Sequence, residues 1–308
     1  MIYTLTLNPA LDRELTVPDL TFDEVLRATS LRIDYGGKGF NVTRALDALG
    51  TESVALGFVG GKTGERLEAG LASTGVATDF TWIAEETRTN VSVVSENQPH
   101  YLKVNESGPN VTSAEQDALM AKVEHLGRRG DWWVLAGSLP PGVADTIYAQ
   151  MIQRLGSVGA KTILDASGFP LQVGCESGPF LVKPNAQEAS ELTGRPVETV
   201  EAARAAAKSI HSLGARLVLI SMGKAGAVLS EGDHTWLAQP PEIEERNPIG
   251  AGDASVAGLV WAMSQDLALP DVLRWSMASG AAAASLDGTA VGSYELIESL
   301  VEQVRIAG

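Results

Sequence analysis

The tightest constraint in this chain is the alternation of short β-type runs with helical patterns. Residues 2–7, 53–59, 132–136, 162–165, 180–182 and 217–221 are apolar, often β-branched or aromatic, and read as strands. Between them, residues 41–49, 64–74, 113–126, 143–155, 186–192 and 200–213 carry helical spacing. Parallel strands need crossover connections, and helices serving as crossovers cover both faces of the sheet. The expected fold class is therefore α/β, a doubly wound, mainly parallel sheet. From residue 250 onward the pattern turns all helical, over 250–264, 269–286 and 294–306.

Two stretches break the alternation. Residues 11–17 with 31–35, and 87–95 with 100–104, are strand-like with no helix between the members of each pair. The segment "SENQPH" (95–100) has the polar, proline-containing composition of a hairpin turn. These pieces predict a small β-sheet lid, about 11–35 and 87–105, too thin for a core of its own and suited to covering a cleft or a partner subunit. No repeat, low-complexity tract or long linker divides the chain, so a single domain over 1–308 is expected.

Charge narrows the partners. The 308 residues carry a formal net charge of -15, which argues against nucleic acid and against an anionic membrane surface. An anionic small molecule could still bind where local cations and backbone N–H groups overcome that background. The single cysteine, Cys175, excludes an intrachain disulfide and a cysteine-built metal site. Four histidines show no metal-ligand spacing. The opening "MIYTLTLNPALD" has no basic leader, and no apolar run approaches the ~18 residues of a membrane span. A cytoplasmic protein is expected.

Function is written in the glycines. "NPIGAGDASVAG" (247–258) puts Gly250 and Gly252 at the start of an apolar helix, where glycine costs roughly 1 kcal/mol relative to alanine. A helix start leaves N–H donors free and carries about half a positive charge. Small residues let a phosphate approach that backbone. Asp253 would repel the same phosphate unless something stood between them, and a hydroxyl about to attack the phosphorus is such an object. A helix start with an acidic residue and glycines for close packing would look the same, and this stretch alone leaves both readings open.

A second cluster, "DYGGKGFNVTRALDALG" (34–50), sets Gly36, Gly37, Lys38 and Gly39 at the mouth of another helix with Asn41 in its first turn. Val42 stands where a dinucleotide fingerprint needs its third glycine. "GFVGGKTG" (57–64) fails as a Walker A loop, because Leu56 holds the position of the first glycine. Two dissimilar helix-start clusters suggest two jobs: holding a substrate and holding the transferred group.

These two stretches resemble the paired signatures of the PfkB family of ribokinase-type carbohydrate kinases. "GSLPPG" (137–142), "KPNAQE" (183–188) and "SMGKAGA" (221–227) follow the family's order, so the resemblance covers essentially the whole chain. "TLTLNPALD" (4–12), "TRTNV" (87–91) and "KVNESGP" (103–109) resemble the branch acting on phosphorylated ketohexoses. The resemblance implies a ribokinase-like fold and phosphorylation of a ketohexose phosphate by ATP with Mg²⁺. Fructose 1-phosphate is the favoured acceptor; tagatose 6-phosphate and fructose 6-phosphate are the alternatives. A non-catalytic sugar-phosphate sensor is disfavoured by the intact Asp253.

Residue by residue, the resemblance implies Asp253 as general base and the N–H groups of Gly250, Ala251 and Gly252 as stabilisers of the passing phosphoryl group. Asp12, Gly37, Asn41 and Ser138 would hold sugar hydroxyls. Lys38, Arg88, Asn90 and Lys103, with Arg27, would hold the substrate's own phosphate. Lys183, Asn185, Ser221, Gly223 and Gly226 would lie along the ATP groove, with Asn185 and Glu188 serving Mg²⁺ through water. Asn185 and Glu188 also have the spacing of a capping box, which is compatible with that role. A homodimer through the lid is expected. One departure stands out: Asn247 and Pro248 replace the Ser-Thr or Asp-Thr usual before Gly-Ala-Gly-Asp. Pro248 removes a donor and fixes φ, which puts a ribokinase-sort monovalent-cation site in question.

Overall fold

Strand β1 (Ile2–Thr6) is buried along its length apart from half-buried Tyr3, as a strand covered on both sides must be. The computed structural model describes all 308 residues. After β1 the chain leaves the main sheet for β2 (Ala10–Val17) and β3 (Ser30–Gly36), then returns through α1 (Lys38–Ala48) to β4 (Val54–Gly60). Helix α2 (Gly61–Ser73) leads to the short strands β5 (Ala77–Thr78) and β6 (Thr81–Ile83), both beside β4. A second excursion makes β7 (Arg88–Ser95) and β8 (Tyr101–Val104).

The rest of the main sheet is built by regular crossovers. Helix α3 (Ser113–Leu126) precedes β9 (Trp132–Ala136), α4 (Ile147–Ser157) precedes β10 (Lys161–Asp165), and α5 (Gly168–Glu176) precedes β11 (Leu181–Val182). Helices α6 (Ala186–Thr193) and α7 (Val200–Leu213) then lead to β12 (Leu217–Ser221). A hairpin follows, β13 (Ala227–Glu231) and β14 (His234–Gln239), before the helices α8 (Ala251–Ser264), α9 (Leu269–Ala284) and α10 (Tyr294–Val301) and a last strand, β15 (Arg305–Ala307).

The strand order is β15-β14-β13-β12-β11-β10-β9-β1-β4-β5, with β6 also on β4. Pairs from β12 to β5 are parallel; β13, β14 and β15 add antiparallel neighbours at one end. Side chains alternate between two cores: Trp132, Val134 and Ala136 face one, Trp133 and Leu135 the other, the two-residue period of a strand. One core gathers α1, α8, α9 and α10, the other α3 to α7. Both faces are thus covered, as the alternation in sequence demands.

The all-helical reading of the carboxy-terminal part is corrected at its end. The helix expected over 294–306 stops at Val301, and Arg305–Ala307 pairs with β14 instead. Buried Val304 suits either continuation, so periodicity could not separate a last helical turn from a three-residue edge strand. The β13–β14 hairpin and α5 are additions to the elements read from sequence.

From β1 the strand order runs outward in both directions, to β4 on one side and β9 on the other. Ligands bind α/β sheets at such a switch point, outside the carboxyl ends of the strands. Above it stands a separate four-stranded sheet in the order β3-β2-β7-β8. Its connections are tied to the main body by glutamates that accept backbone N–H groups: Glu85 from Asn110, Glu86 from Thr63 and Glu115 from Ala84.

Candidate active site

Helix α8 begins in the crevice. Its cap, Gly250, has φ 84, a left-handed conformation that favours glycine. Within the turn that Pro248 opens, the Ala251 N–H donates to Pro248 O at 3.2 Å. No protein group accepts from the N–H of Gly250, Gly252 or Asp253. Of the three donors expected from sequence, Ala251 is therefore engaged, and Asp253 supplies a free N–H in its place. Asn247 braces the entering loop, donating through Nδ2 to Gly288 O at 2.8 Å and accepting from Ile249 N–H at 3.0 Å.

Asp253 is 7% exposed. Helix α1 packs against α8, and Asn41 Nδ2 donates to Asp253 Oδ2 at 2.8 Å. Burial first, and then the like charge of Asp165, push the Asp253 carboxyl up to about 6 against the opposing pull of Asn41, Lys38 and Lys183. A carboxyl that titrates near neutrality is suited to take a proton and give it up again.

Asp165 ends β10 at 1% exposure. Lys38 Nζ lies 3.2 Å from its Oδ1 and Lys183 Nζ 3.6 Å from its Oδ2. Burial works to lower the Lys38 pKa, but Asp165, Asp253 and Glu188 together raise it above the usual lysine value. Lys183 faces the helix start: a Cβ at Gly252 would lie 3.8 Å from its Nζ. Asp165 is absent from the residues that sequence motifs single out. Its only signal there is an acid at the end of a strand, which gains meaning once β10 is known to lie two strands from β1.

A second group gathers where the small sheet meets β1. Asp12 faces Asn90 across the β2–β7 register, and Asn90 Nδ2 donates to Asp12 Oδ1 at 2.8 Å. Arg88 donates to the carbonyls of Asn8 at 2.8 Å and Glu106 at 2.7 Å. Burial pushes Asp12 up, Asp34 adds to it, and Asn90, Lys103 and Arg88 oppose it. Four buried polar atoms of this region have no partner: Thr6 Oγ1, Asn8 Oδ1, Arg88 Nε and Asn90 Oδ1. Such atoms are costly unless a ligand or water satisfies them. Gly37, at φ 153, lets α1 start against β1, since a Cβ there would lie 2.8 Å from Thr6 Cγ2.

The structure divides the cations that sequence groups together. Arg88 and Lys103 act on Asp12, whereas Lys38 sits among Asp165, Asp253 and Glu188. Ser138 is exposed just beyond β9, in the crevice but without a hydrogen bond to these groups. Arg27 is not brought in. The β2–β3 hairpin carries its loop away past the Thr16–Ser30 pair, the opposite end from Asp12–Asp34, and Arg27 is exposed in that loop.

On the other side of the α8 start lies a cavity of about 960 Å³. Lys183, Ser221, Gly223 and Gly226 line it, together with Ala251 and Gly252. Its apolar wall, Pro240, Pro241, Ile243, Met277 and Ala281, carries no sequence signature because two segments distant in sequence supply it. Asn185 and Glu188 form their capping box beside it, each accepting the other's backbone N–H at 2.9 Å.

A model of the pfkB family carbohydrate kinases matches residues 6–295. The chain belongs to the pfkB carbohydrate kinase family. Membership makes it a sugar kinase, a phosphotransferase that uses ATP. This pfkB kinase is 34% identical to the 1-phosphofructokinase of Bacillus subtilis (strain 168), covering 99% of each chain. It is 35% identical to the 1-phosphofructokinase of Rhodobacter capsulatus, covering 99% of this chain and 97% of that one. Among solved structures it resembles phosphofructokinase-2 from Escherichia coli in complex with potassium, with a TM-score of 0.93 at 31% identity over 98% of both chains. The ribokinase-like architecture implied by the sequence is therefore present. No helix is long and apolar enough to cross a membrane.

Proposed function

We propose that this pfkB kinase transfers the γ-phosphoryl group of ATP to the 6-hydroxyl of fructose 1-phosphate, giving fructose 1,6-bisphosphate and ADP. The observation that carries the chemistry is the buried Asp253 carboxylate beside free N–H donors at a helix start. Similarity to two 1-phosphofructokinases over almost the whole chain favours this acceptor.

The acceptor hydroxyl sits between Asp253 and the α8 start. As its oxygen bonds to the γ-phosphorus, its proton passes to Asp253, and the bond from phosphorus to the bridging oxygen breaks with its electrons leaving on ADP. The N–H groups of Gly250, Gly252 and Asp253, backed by the helix dipole, receive the charge of the phosphoryl group in transit. Asn41 aims the base. Asp12 holds sugar hydroxyls together with Asn90, which its bond to that carboxylate takes out of the phosphate-holding group implied by the sequence, and Gly37 and Ser138 stand at the pocket rim. Arg88 and Lys103 take the existing phosphate, whose oxygens would satisfy the buried Arg88 Nε. ATP lies in the cavity along Lys183, Ser221, Gly223 and Gly226.

Mg²⁺ fits as a water-held ion. No three His, Cys, Asp or Glu side chains converge to ligate a metal directly. Glu188 uses Oε2 on the Asn185 N–H and leaves Oε1 unengaged, the donor set of an ion held mainly by phosphates and water. When bound beside Asn185 and Glu188, it would offset the charge of the nucleotide phosphates.

The small sheet reads as a lid within a single domain, excluding water from the acceptor. Leu31, Leu102 and Val104, which the strand register puts on one face of it, are 44–66% exposed, a concentration of apolar side chains that a solvated monomer rarely keeps. We read that face as the contact of a homodimer. Sedimentation velocity tests it: Leu102→Glu with Val104→Glu should halve the mass, and an unchanged mass would exclude the contact.

An ADP-release assay with fructose 1-phosphate, fructose 6-phosphate, tagatose 6-phosphate, fructose and ribose tests the acceptor. Fructose 1-phosphate should give the highest kcat/KM. A higher value with either 6-phosphate would reassign the acceptor, and turnover of the unphosphorylated sugars alone would remove the role of Arg88 and Lys103.

A further inference from the structure

Asp165 joins two parts of the site that are otherwise separate. Its carboxylate is 1% exposed, and each oxygen meets a different lysine, Lys38 at 3.2 Å and Lys183 at 3.6 Å. Those lysines come from opposite sides of the crevice. Lys38 opens α1, directly after the strand that returns from the small sheet, and Lys183 lines the nucleotide cavity.

Burying the Asp165–Lys183 pair is a poor route to stability, since apolar side chains of similar volume often serve as well. Lys38 has no need of Asp165 to escape burial, because its side chain is 41% exposed and its flexible stem could carry the ammonium into solvent. Instead the ammonium is held inward.

We propose that Asp165 is a positioning residue that fixes Lys38 and Lys183 as two cations flanking the start of α8, one on the acceptor side and one on the nucleotide side. This rests on the kinase reading above. A phosphoryl group in transit then meets positive charge on both flanks, supplementing the N–H donors along the helix axis. Lys38 serves the transferred group, and Arg88 with Lys103 serves the phosphate already on the sugar. Asp165 also faces Asp253, whose other charged or polar neighbours are Lys38 and Asn41 from α1 and Lys183 after β11. Its negative charge helps keep the Asp253 carboxyl near neutrality.

A double-mutant cycle on the full chain tests this, with wild-type turnover of the phosphoketohexoses as the control for the kinase reading. Asp165→Asn and Lys38→Met should each lower kcat roughly 10²-fold, the scale of one lost charge-stabilising contact. The double variant should lose scarcely more than either single one, because both break the same unit. Asp165→Asn should also move the acid limb of the kcat profile to lower pH. Asp165→Glu keeps the charge, displaces both ammonium groups by a methylene, and should lower kcat about 10-fold with the limb in place. Losses that multiply in the double variant would overturn the proposal, as would wild-type kcat in Asp165→Glu or an acid limb that stays put in Asp165→Asn. Absence of wild-type turnover would instead sink the kinase reading on which it stands.

Discussion

Asn41 Nδ2 donates to Asp253 Oδ2 at 2.8 Å across 212 positions of sequence. That bond joins the two glycine-rich helix starts, the one at Gly36–Gly39 and the one at Gly250–Gly252. Neither stretch alone distinguishes an anion site from close packing. Joined, they place a buried carboxylate, a cation and free N–H donors around one crevice.

Replacing Asn41 by Leu removes the donor and keeps the volume. The bond favours the charged form of Asp253, so its loss should raise the pH at which activity appears and lower kcat roughly 10-fold or more. A pH profile of kcat checks this. An unmoved acid limb would mean the bond does not reach the reacting carboxylate.

Asp253 also couples stability to pH. Its carboxyl titrates near 6 in the folded chain against an ordinary 3.8, so the folded state binds the proton more tightly. The stability this confers is complete below about 4 and is lost as pH rises through about 6. Asp253→Asn carries no such penalty. It should be more stable than wild type at pH 8, by on the order of 3 kcal/mol, with the gap closing towards pH 4. Thermal unfolding at the two pH values measures it.

Much of this was legible in sequence, and the limits have physical causes. Glycines clustered just ahead of an apolar helical pattern mark a helix start whichever use they serve, and helices do begin at Lys38 and Ala251. Asp165 is a lone acid at a strand end, and its partners Lys38 and Lys183 meet it only through the strand order. Lys38 reads as a phosphate ligand beside Arg88 until the fold turns it towards Asp165. Arg27 looks equally eligible, but hairpin direction removes it to the far tip. The hairpin of β13 and β14 is signalled only by the Gly232–Asp233 dipeptide, and Gly232 adopts φ 58 there.

Arg88→Ala should raise KM for the phosphosugar about 10-fold or more and leave KM for ATP nearly unchanged. Its guanidinium donates to the carbonyls of Asn8 and Glu106, beside Asp12 and outside the cavity proposed for ATP. Steady-state kinetics with each substrate varied in turn decide this, and the reverse pattern would interchange the two pockets.

Gly250→Ala isolates backbone conformation. Nothing lies within 4 Å of a Cβ at Gly250, so the cost is that of an L-residue at φ 84, about 1–2 kcal/mol. Thermal stability should fall modestly, while kcat should fall by more than that strain alone implies if the cap shapes the donor array. Circular dichroism and ADP release, measured together, separate the two effects.

The most direct test is ADP release with saturating fructose 1-phosphate and ATP, comparing wild type with Asp253→Asn. Loss of the base should lower kcat by roughly 10²–10⁴-fold while binding of the phosphosugar survives. Wild-type turnover by Asp253→Asn would contradict the assignment of this carboxylate as the group that deprotonates the acceptor.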